Sequence, residues 1–219
     1  MTTQHATEAP ARATTLGFVG IVGVAAFAAA FAAMHVIQSD LNPIQNFGSD
    51  YAFGRGDWLM RLGFIAAGIG TLSLAFGLRH SVAAVKRRGL GVVLLGLAGL
   101  GFIGSGLFNA DPPLADGTTG YTTEGSLHDL TGIVLFISVI VAGFVLARVF
   151  ARDENWQGAV ATTRTFAWLA LAGLVATITS SELSDPGTGI TGLVQRIFVA
   201  TILGWLVSLG WRLRRGSEG

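Results

Sequence analysis

Four polar side chains in this sequence could do chemistry, and each stands at the end of a long apolar stretch. They are Asp111, His128, Glu182 and Arg196. A histidine beside a carboxylate can take a proton from water or a substrate while the carboxylate orients the ring. One imidazole nitrogen and the carboxylates of Asp111 and Glu182 could also hold a metal ion. The four residues therefore predict a polar pocket, provided that the chain brings the ends of its apolar stretches together.

Further polar residues occupy the same kind of position. Asp129 follows His128 directly, and Asp57 and Arg61 are four residues apart, which predicts an ion pair on one helix face. His35 lies about one turn before the end of the first apolar stretch, where it would either join the pocket or make a hydrogen bond in the core. All of these charges avoid the middle of an apolar stretch, where a charge costs about 2.5–3.5 kcal/mol to insert.

The residue types leave several functions open. The pocket could bind a lipid headgroup or small amphiphile through Asp57, Arg61, Asp111, His128, Asp129, Glu182 and Arg196, and we take this as the leading hypothesis. A second hypothesis is an intramembrane hydrolase with His128 as base and Asp111 or Glu182 as the carboxylate that orients it, with or without a divalent metal held by His128, Asp111 and Glu182. A third is an accessory subunit of a larger membrane complex, and a salt-bridge network that only holds helix ends together is the structural alternative. We expect no cofactor unless that metal is present.

The composition restricts the class of protein. Residues of the hydrophobic set AVILMFWYC make up 51% of the 219 residues and charged residues only 12%, where about 25% charged is typical of soluble proteins. The mean hydropathy is +0.61. These values exclude a soluble domain and a nucleic-acid-binding protein. Because the chain has no Cys, disulfides, a thiol nucleophile and an iron–sulfur cluster are excluded too. No phosphate-binding loop or dinucleotide fingerprint is present.

A helix needs about 20 apolar residues to cross a membrane, and six stretches approach or reach that length. They are Leu16–Ile37, Trp58–Leu78, Leu90–Phe108, Leu130–Phe150, Phe166–Ser181 and Leu193–Trp211. The predicted fold is an all-α membrane protein, a bundle of six transmembrane helices over residues 16–212. We expect a disordered tail at 1–15 and a short basic tail at 213–219.

The basic residues predict the orientation of the bundle. Eleven of the 14 Lys and Arg residues fall at one set of span ends: Arg12, Arg79, Lys86, Arg87, Arg88, Arg148, Arg152, Arg164, Arg212, Arg214 and Arg215. By the positive-inside rule, both termini should be cytoplasmic in a cell-membrane protein. The polar pocket would then face outward and contact membrane lipids.

Glycine is abundant, with 31 residues, and it is concentrated in the second and third spans. Small residues allow helices to approach closely in lipid. We therefore expect tight packing within the bundle, and the same spans could also contact a second copy or a membrane-complex partner.

Several short motifs resemble a known family. They are Tyr51-Ala-Phe-Gly54, Trp58-Leu-Met60, Phe108-Asn-Ala-Asp111, Gly125-Ser-Leu-His128 and Phe136. In these motifs the chain resembles small bacterial six-span membrane proteins classed as domain of unknown function 998. The resemblance implies six spans over roughly Leu16 to Trp211 and marks Gly54, Asp111, Gly125 and His128 as family-pattern residues. The family has an aromatic residue and a Pro before the Asp, where this chain has Asn109 and Ala110. The resemblance to this family implies no activity.

Overall fold

The computed structural model describes residues 4–111, 122–184 and 188–215, and this part of the chain is helical without any strand. Six α-helices follow one another along the sequence, and all six are long and apolar enough to cross a membrane. They are α1 (Gln4–Ile37), α2 (Asp57–Ser81), α3 (Arg88–Leu107), α4 (Thr123–Phe150), α5 (Val160–Glu182) and α6 (Thr191–Arg215). The predicted fold class is therefore confirmed.

The predicted start of the fourth span, at Leu130, was wrong. Helix α4 begins seven residues earlier, at Thr123, because Thr122 caps it: the Thr122 hydroxyl accepts a hydrogen bond from the Gly125 amide at 3.0 Å. Hydropathy had placed the start at the first apolar residue. Because α4 begins at Thr123, His128 and Asp129 lie in its second turn and not at its edge.

The segments 1–15 and 213–219, predicted as tails, are partly helical in the structure. Helix α1 already begins at Gln4 and α6 continues to Arg215, so most of the first segment and the start of the last one continue the neighbouring spans as helix. Residues 216–219, the rest of the predicted basic tail, lie outside the described residues. The segment 4–15 contains four Ala residues, and Ala is the best helix former.

The helices form a closed ring in which each packs on its neighbours in sequence and α1 also packs on α6. Glycines make the close approaches. A Cβ at Gly210 would lie 2.8 Å from the carbonyl oxygen of Gly17, and one at Gly99 would lie 3.0 Å from that of Gly68. Many of the glycines that were predicted to promote helix packing therefore lie at contacts between helices of this chain.

Tryptophan occurs both inside the ring and on its outer surface. Trp58, Trp168 and Trp211 are exposed, as residues at a membrane interface are expected to be. Trp205 is buried instead, and its indole N–H donates to the hydroxyl of Thr163 at 3.3 Å. The partner on α5 satisfies the polar atom that burial would otherwise leave unpaired.

The chain between α1 and α2 folds back over one end of the ring, which we call the loop end. The buried side-chain amide of Gln38 donates to the carbonyls of Phe53 at 2.7 Å and Arg55 at 2.9 Å, and Arg55 donates to the carbonyl of Ile37. A 3-10 helix, Gly48–Ala52, lies within this connection. These bonds hold a polar segment against the bundle.

The opposite end carries the clustered basic residues, and we call it the basic end. Its link between α4 and α5 contains a 3-10 helix, Glu154–Ala159. The buried carboxylate of Asp153 accepts hydrogen bonds from the amides of Ala83 at 2.7 Å and Asn155 at 3.0 Å. This one side chain therefore joins the α4–α5 link to the α2–α3 link.

Candidate functional site

A cavity of about 630 Å³ lies inside the ring, toward the loop end. All six helices and the Gly48–Ala52 3-10 helix contribute to its wall. Most of the lining is apolar, and the aromatic part consists of Phe27, Phe31, Phe47, Phe64, Phe102 and Phe136. The chain therefore encloses a large apolar space where six close-packed helices would otherwise leave little room.

Polar side chains line one part of the same cavity. His128, Asp129 and Arg196, three of the residues predicted from the sequence, are among them, together with Gln195 and Ser105. They come from α3, α4 and α6. The structure thus brings part of the predicted constellation to one cavity, and this cavity is polar at one side and apolar in its body.

His128 is oriented by the end of the neighbouring helix. The residue is 7% exposed, and its Nδ1 lies 2.9 Å from the carbonyl oxygen of Phe108. Since a carbonyl only accepts, Nδ1 carries the proton in the neutral ring and Nε2 is left as an acceptor. Within the described part of the chain Nε2 has no hydrogen-bond partner, so it remains available to a ligand.

Arg196 is held by several contacts around its guanidinium group. Its Nη1 donates to the carbonyls of Asn46 at 2.7 Å and Gly192 at 2.9 Å. The charge lies over the rings of Phe31, at 5.2 Å, and Tyr51, at 5.5 Å. Nη2 is buried and has no hydrogen-bond partner among the described residues. The Tyr51 side chain also contacts the guanidinium group, so Arg196 is strongly fixed.

His35 makes both of the contacts that the sequence left as alternatives. Its Nδ1 lies 2.7 Å from the carbonyl of Phe31, and its Nε2 accepts from Nε of Arg196 at 3.2 Å. The same neutral tautomer satisfies both bonds, because Nδ1 donates and Nε2 accepts. His35 thus joins the polar group as a support for Arg196.

The first loop supplies residues that the sequence analysis missed. The Gln195 side-chain oxygen accepts from the amide of Gly48 at 2.7 Å. The carboxylate of Asp50 accepts from the amide of Phe47 at 2.9 Å and from the side chain of Asn46 at 3.3 Å. Burial raises the pKa of Asp50, while these hydrogen bonds and the nearby charge of Arg196 oppose the rise. No motif marks these residues in a polar loop.

Asp111 lies outside the cavity that His128 lines. Its carboxylate accepts hydrogen bonds from the amide of Thr122 at 2.8 Å and from the Thr122 hydroxyl at 2.6 Å. A Cβ at Gly125 would collide with this carboxylate. Asp111 therefore closes the α3–α4 connection at the N-terminus of α4, where a negative charge is favoured. It also lines a separate outer cavity of about 560 Å³, together with Asp40 and Asp50.

The family-pattern residues thus have structural explanations. Gly54 has a φ of 88°, a backbone conformation that side chains rarely adopt. Gly125 gives room to Asp111, and His128 reaches back to Phe108. The contact of Gly125 with Asp111 and that of His128 with Phe108 both connect the start of α4 to the residues that follow α3. Residues 112–121, which link these two segments, lie outside the described residues.

The remaining predicted residues are placed elsewhere. Arg61 donates to the carbonyls of Gly106 and Leu107, both at 3.0 Å, so it fastens α2 to the end of α3. The described contacts do not include the predicted ion pair with Asp57, which is the first residue of α2. Glu182 is exposed at the end of α5 and lines neither cavity.

The predicted metal ligands are spread over separate surfaces. His128 lines the inner cavity, Asp111 the outer one and Glu182 neither. Over residues 4–111, 122–184 and 188–215, no three His, Asp or Glu side chains are grouped closely enough to hold a metal ion. The described geometry thus gives no metal centre on which to build a mechanism.

Comparison with known proteins gives one match. Residues 21–212 match the model of a family described as "Protein of unknown function (DUF998)". No curated protein and no solved structure matches the chain. The match covers all residues that line the inner and outer cavities described above.

Proposed function

The chain belongs to the DUF998 family of proteins of unknown function, and from that premise we propose that this multi-pass membrane protein binds a membrane amphiphile in its inner cavity. The polar head of the ligand would lie at Arg196 and His128, and its apolar chain would lie among the phenylalanines. The observation that carries the proposal is the pairing of an apolar cavity with His128, Asp129 and the fixed cation Arg196 in its lining.

The size and lining of the cavity suit such a ligand. Its volume of about 630 Å³ lies within the range of about 300–1,000 Å³ that is usual for small-molecule sites. Those sites combine a mostly apolar wall with a few fixed polar groups, as this cavity does. A purely polar solute would leave the aromatic wall without a partner.

The polar groups favour a head with oxygen atoms. Arg196 lines the cavity, and carboxylate and phosphate oxygens are the acceptors that a guanidinium group binds best. Neutral His128 offers an acceptor at Nε2, which a hydroxyl or a protonated acid of the ligand would satisfy. We therefore propose an acidic head that carries at least one O–H group or exchangeable proton.

Exposed residues of α4 and α5 support entry from the membrane. Ile133, Ile137 and Ile178 all line the cavity, yet they are 60%, 51% and 55% exposed. A wall residue that also faces outward lies beside an opening. An amphiphile could therefore pass between α4 and α5 without leaving the hydrocarbon phase.

Gly132 provides a sharp test. It lines the cavity, and a Cβ there would meet no atom within 4 Å. The substitution Gly132→Leu should thus fill ligand space without distorting the helix. Gly96 on α3 also has nothing within 4 Å but does not line the cavity, so Gly96→Leu is the matched control.

The measurement is native mass spectrometry of the detergent-purified chain, with lipid extracts analysed in parallel. We expect a retained amphiphile in the unchanged protein and in Gly96→Leu, and a loss of at least tenfold in Gly132→Leu. Equal retention in both variants, or no retained amphiphile in any form, would count against the proposal.

The hydrolase hypothesis keeps one supporting observation, the unused Nε2 of His128 beside the cavity. A general base needs such an acceptor within reach of the attacking water. Incubation with ester-linked lipids separates the two functions: a binder retains the lipid unchanged, whereas a hydrolase releases a fatty acid, and His128→Gln would abolish that release.

The orientation is also a proposal, and it rests on the basic residues at one end of the bundle. With both termini in the cytoplasm, the inner cavity would face the outer leaflet. A fluorescent protein fused to the C-terminus should then be bright, and alkaline phosphatase fused at the same point should be inactive. Active phosphatase would reverse the assignment.

A further inference from the structure

A second cavity, of about 590 Å³, lies at the basic end of the bundle. It is lined by the link that joins α4 to α5, the start of α5, the end of α6, the end of α2 and Ala13 of α1. Three of its lining side chains are His80, Arg212 and Arg215. Among the described residues, no Asp or Glu lines it. The cavity therefore has a basic wall, which distinguishes it from the aromatic one at the loop end.

Arg212 is fixed in place and only partly used. Its Nη2 donates to the carbonyl of Asn155 at 2.6 Å, and its charge lies 5.4 Å from the ring centre of Trp156. Trp156 in turn stacks on Phe150 at 4.6 Å. Nη1 makes no hydrogen bond within the described residues. The guanidinium group is thus pre-organised, with a donor left over at the cavity.

Arg215 and Trp211 place the cavity at interfacial depth. The charge of Arg215 lies 5.2 Å from the ring centre of Trp211, which is 48% exposed on the outside of α6. Tryptophan is enriched at the level of lipid headgroups. Hydroxyl groups of Ser81 and Thr162 add uncharged donors to the wall. The arrangement combines fixed cations, hydroxyl donors and an interfacial ring.

From this geometry we propose that the basic-end cavity is a binding site for a phosphate group, supplied by the headgroup of an anionic phospholipid. Arg212 and Arg215 provide the charge, and the hydroxyls of Ser81 and Thr162 provide hydrogen bonds to the remaining oxygens. The site is independent of the amphiphile cavity, because the two cavities share no lining residue.

The test compares two exposed basic residues at the same end of the bundle. Arg215 lines the cavity, whereas Lys86 is exposed and does not. The variants Arg215→Gln and Lys86→Gln each remove one positive charge, and neither side chain donates a hydrogen bond to another described residue. A variant Arg212→Lys keeps the charge of this partly buried cation and removes its fork of donors.

The full-length chain, delipidated in detergent, is titrated with phosphatidylglycerol and with phosphatidylcholine, and bound lipid is counted by native mass spectrometry. The titrations are done in the Gly132→Leu background, so that binding at the loop end does not contribute. We expect phosphatidylglycerol to bind more tightly than phosphatidylcholine. Arg215→Gln should weaken phosphatidylglycerol about fivefold, as expected for one basic residue at a membrane surface, and Arg212→Lys should weaken it at least as much. Lys86→Gln should change binding less than twofold.

Inorganic phosphate, added as a competitor, identifies the occupant. Failure of millimolar phosphate to displace the lipid supports a headgroup site, and displacement supports the shared phosphate chemistry with free phosphate as a second source. If Arg215→Gln and Lys86→Gln weakened phosphatidylglycerol binding equally, binding would depend only on the surface charge of the basic end, and the proposal would be overturned. No weakening in either variant, or equal binding of the two lipids, would overturn it too.

Discussion

The two ends of the bundle hold cavities of similar size, about 630 Å³ at the loop end and 590 Å³ at the basic end, but they are built differently. The loop-end cavity reaches into the ring, with an aromatic wall and a single fixed cation. The basic-end cavity lies between helix ends and links, with several basic side chains. The volumes of the two cavities therefore do not distinguish their proposed ligands. Depth and lining favour a whole amphiphile at one end and only a headgroup at the other.

Each end also depends on one polar side chain that joins separate segments. At the loop end Arg196 reaches Asn46, Gly192 and His35. At the basic end Asp153 receives the amides of Ala83 and Asn155. Arg196 as a donor and Asp153 as an acceptor each hold separate segments together at one end of the bundle. A substitution of either residue should therefore disturb only its own end.

The largest effect should follow from Arg196→Ala. The substitution removes the donor from two carbonyls and from His35, together with two cation–π contacts. Since a buried polar group left unpaired costs about 1–3 kcal/mol, we expect the free energy of unfolding to fall by about 3 kcal/mol. Hydrogen exchange should rise in residues 39–56 and stay unchanged in residues 151–159. A uniform rise at both ends would show that the ends are not independent.

A slightly smaller effect is expected from Asp153→Ala, about 2 kcal/mol, because two amides lose their acceptor. Here the increase in hydrogen exchange should be confined to the basic-end links, 82–88 and 151–159. Asp153→Asn retains one side-chain acceptor and should lose about half as much. Faster exchange in the first loop would contradict the separation of the two ends.

The two proposed binding sites should respond in opposite ways to the same pair of variants. Gly132→Leu should remove the amphiphile from the loop end and leave phosphatidylglycerol binding unchanged. Arg215→Gln should weaken phosphatidylglycerol about fivefold and leave the amphiphile in place. Native mass spectrometry of both variants with both ligands measures all four combinations. If either variant affected both ligands, a single connected site would be the better description.

The smallest effect concerns pH and only the loop end. Burial raises the pKa of Asp50 in the folded protein, so the folded state binds this proton more tightly than the unfolded state does. The resulting stabilisation is complete below the ordinary carboxyl pKa of about 4 and is lost as the pH rises through the raised value. Thermal unfolding in detergent should show the unchanged protein gaining stability relative to Asp50→Asn as the pH falls through the raised pKa toward the ordinary carboxyl pKa of about 4. A parallel pH dependence of the two proteins would contradict the raised pKa.

Much of the architecture could be predicted because hydropathy is a local property. The six spans, the end of α1 at Ile37 and the family followed from short stretches of sequence. His128 and Arg196 could be selected as candidates, since a charge or imidazole at the end of an apolar stretch is visible in the sequence, and both line the inner cavity. The start of α4 was missed, because a capping hydroxyl and not an apolar residue begins that helix.

The partners of those residues depended on the tertiary structure. Asp111 and His128 are 17 positions apart in a sequence that suggests one site, yet the capped start of α4 turns them toward different cavities. Arg196 meets His35 across 161 positions, through the closure of α1 on α6. Apolar length determines which segments enter a membrane. Which helix ends meet, and which polar atoms are left unused, is decided by how the helices pack around the ring, and no single segment carries that information.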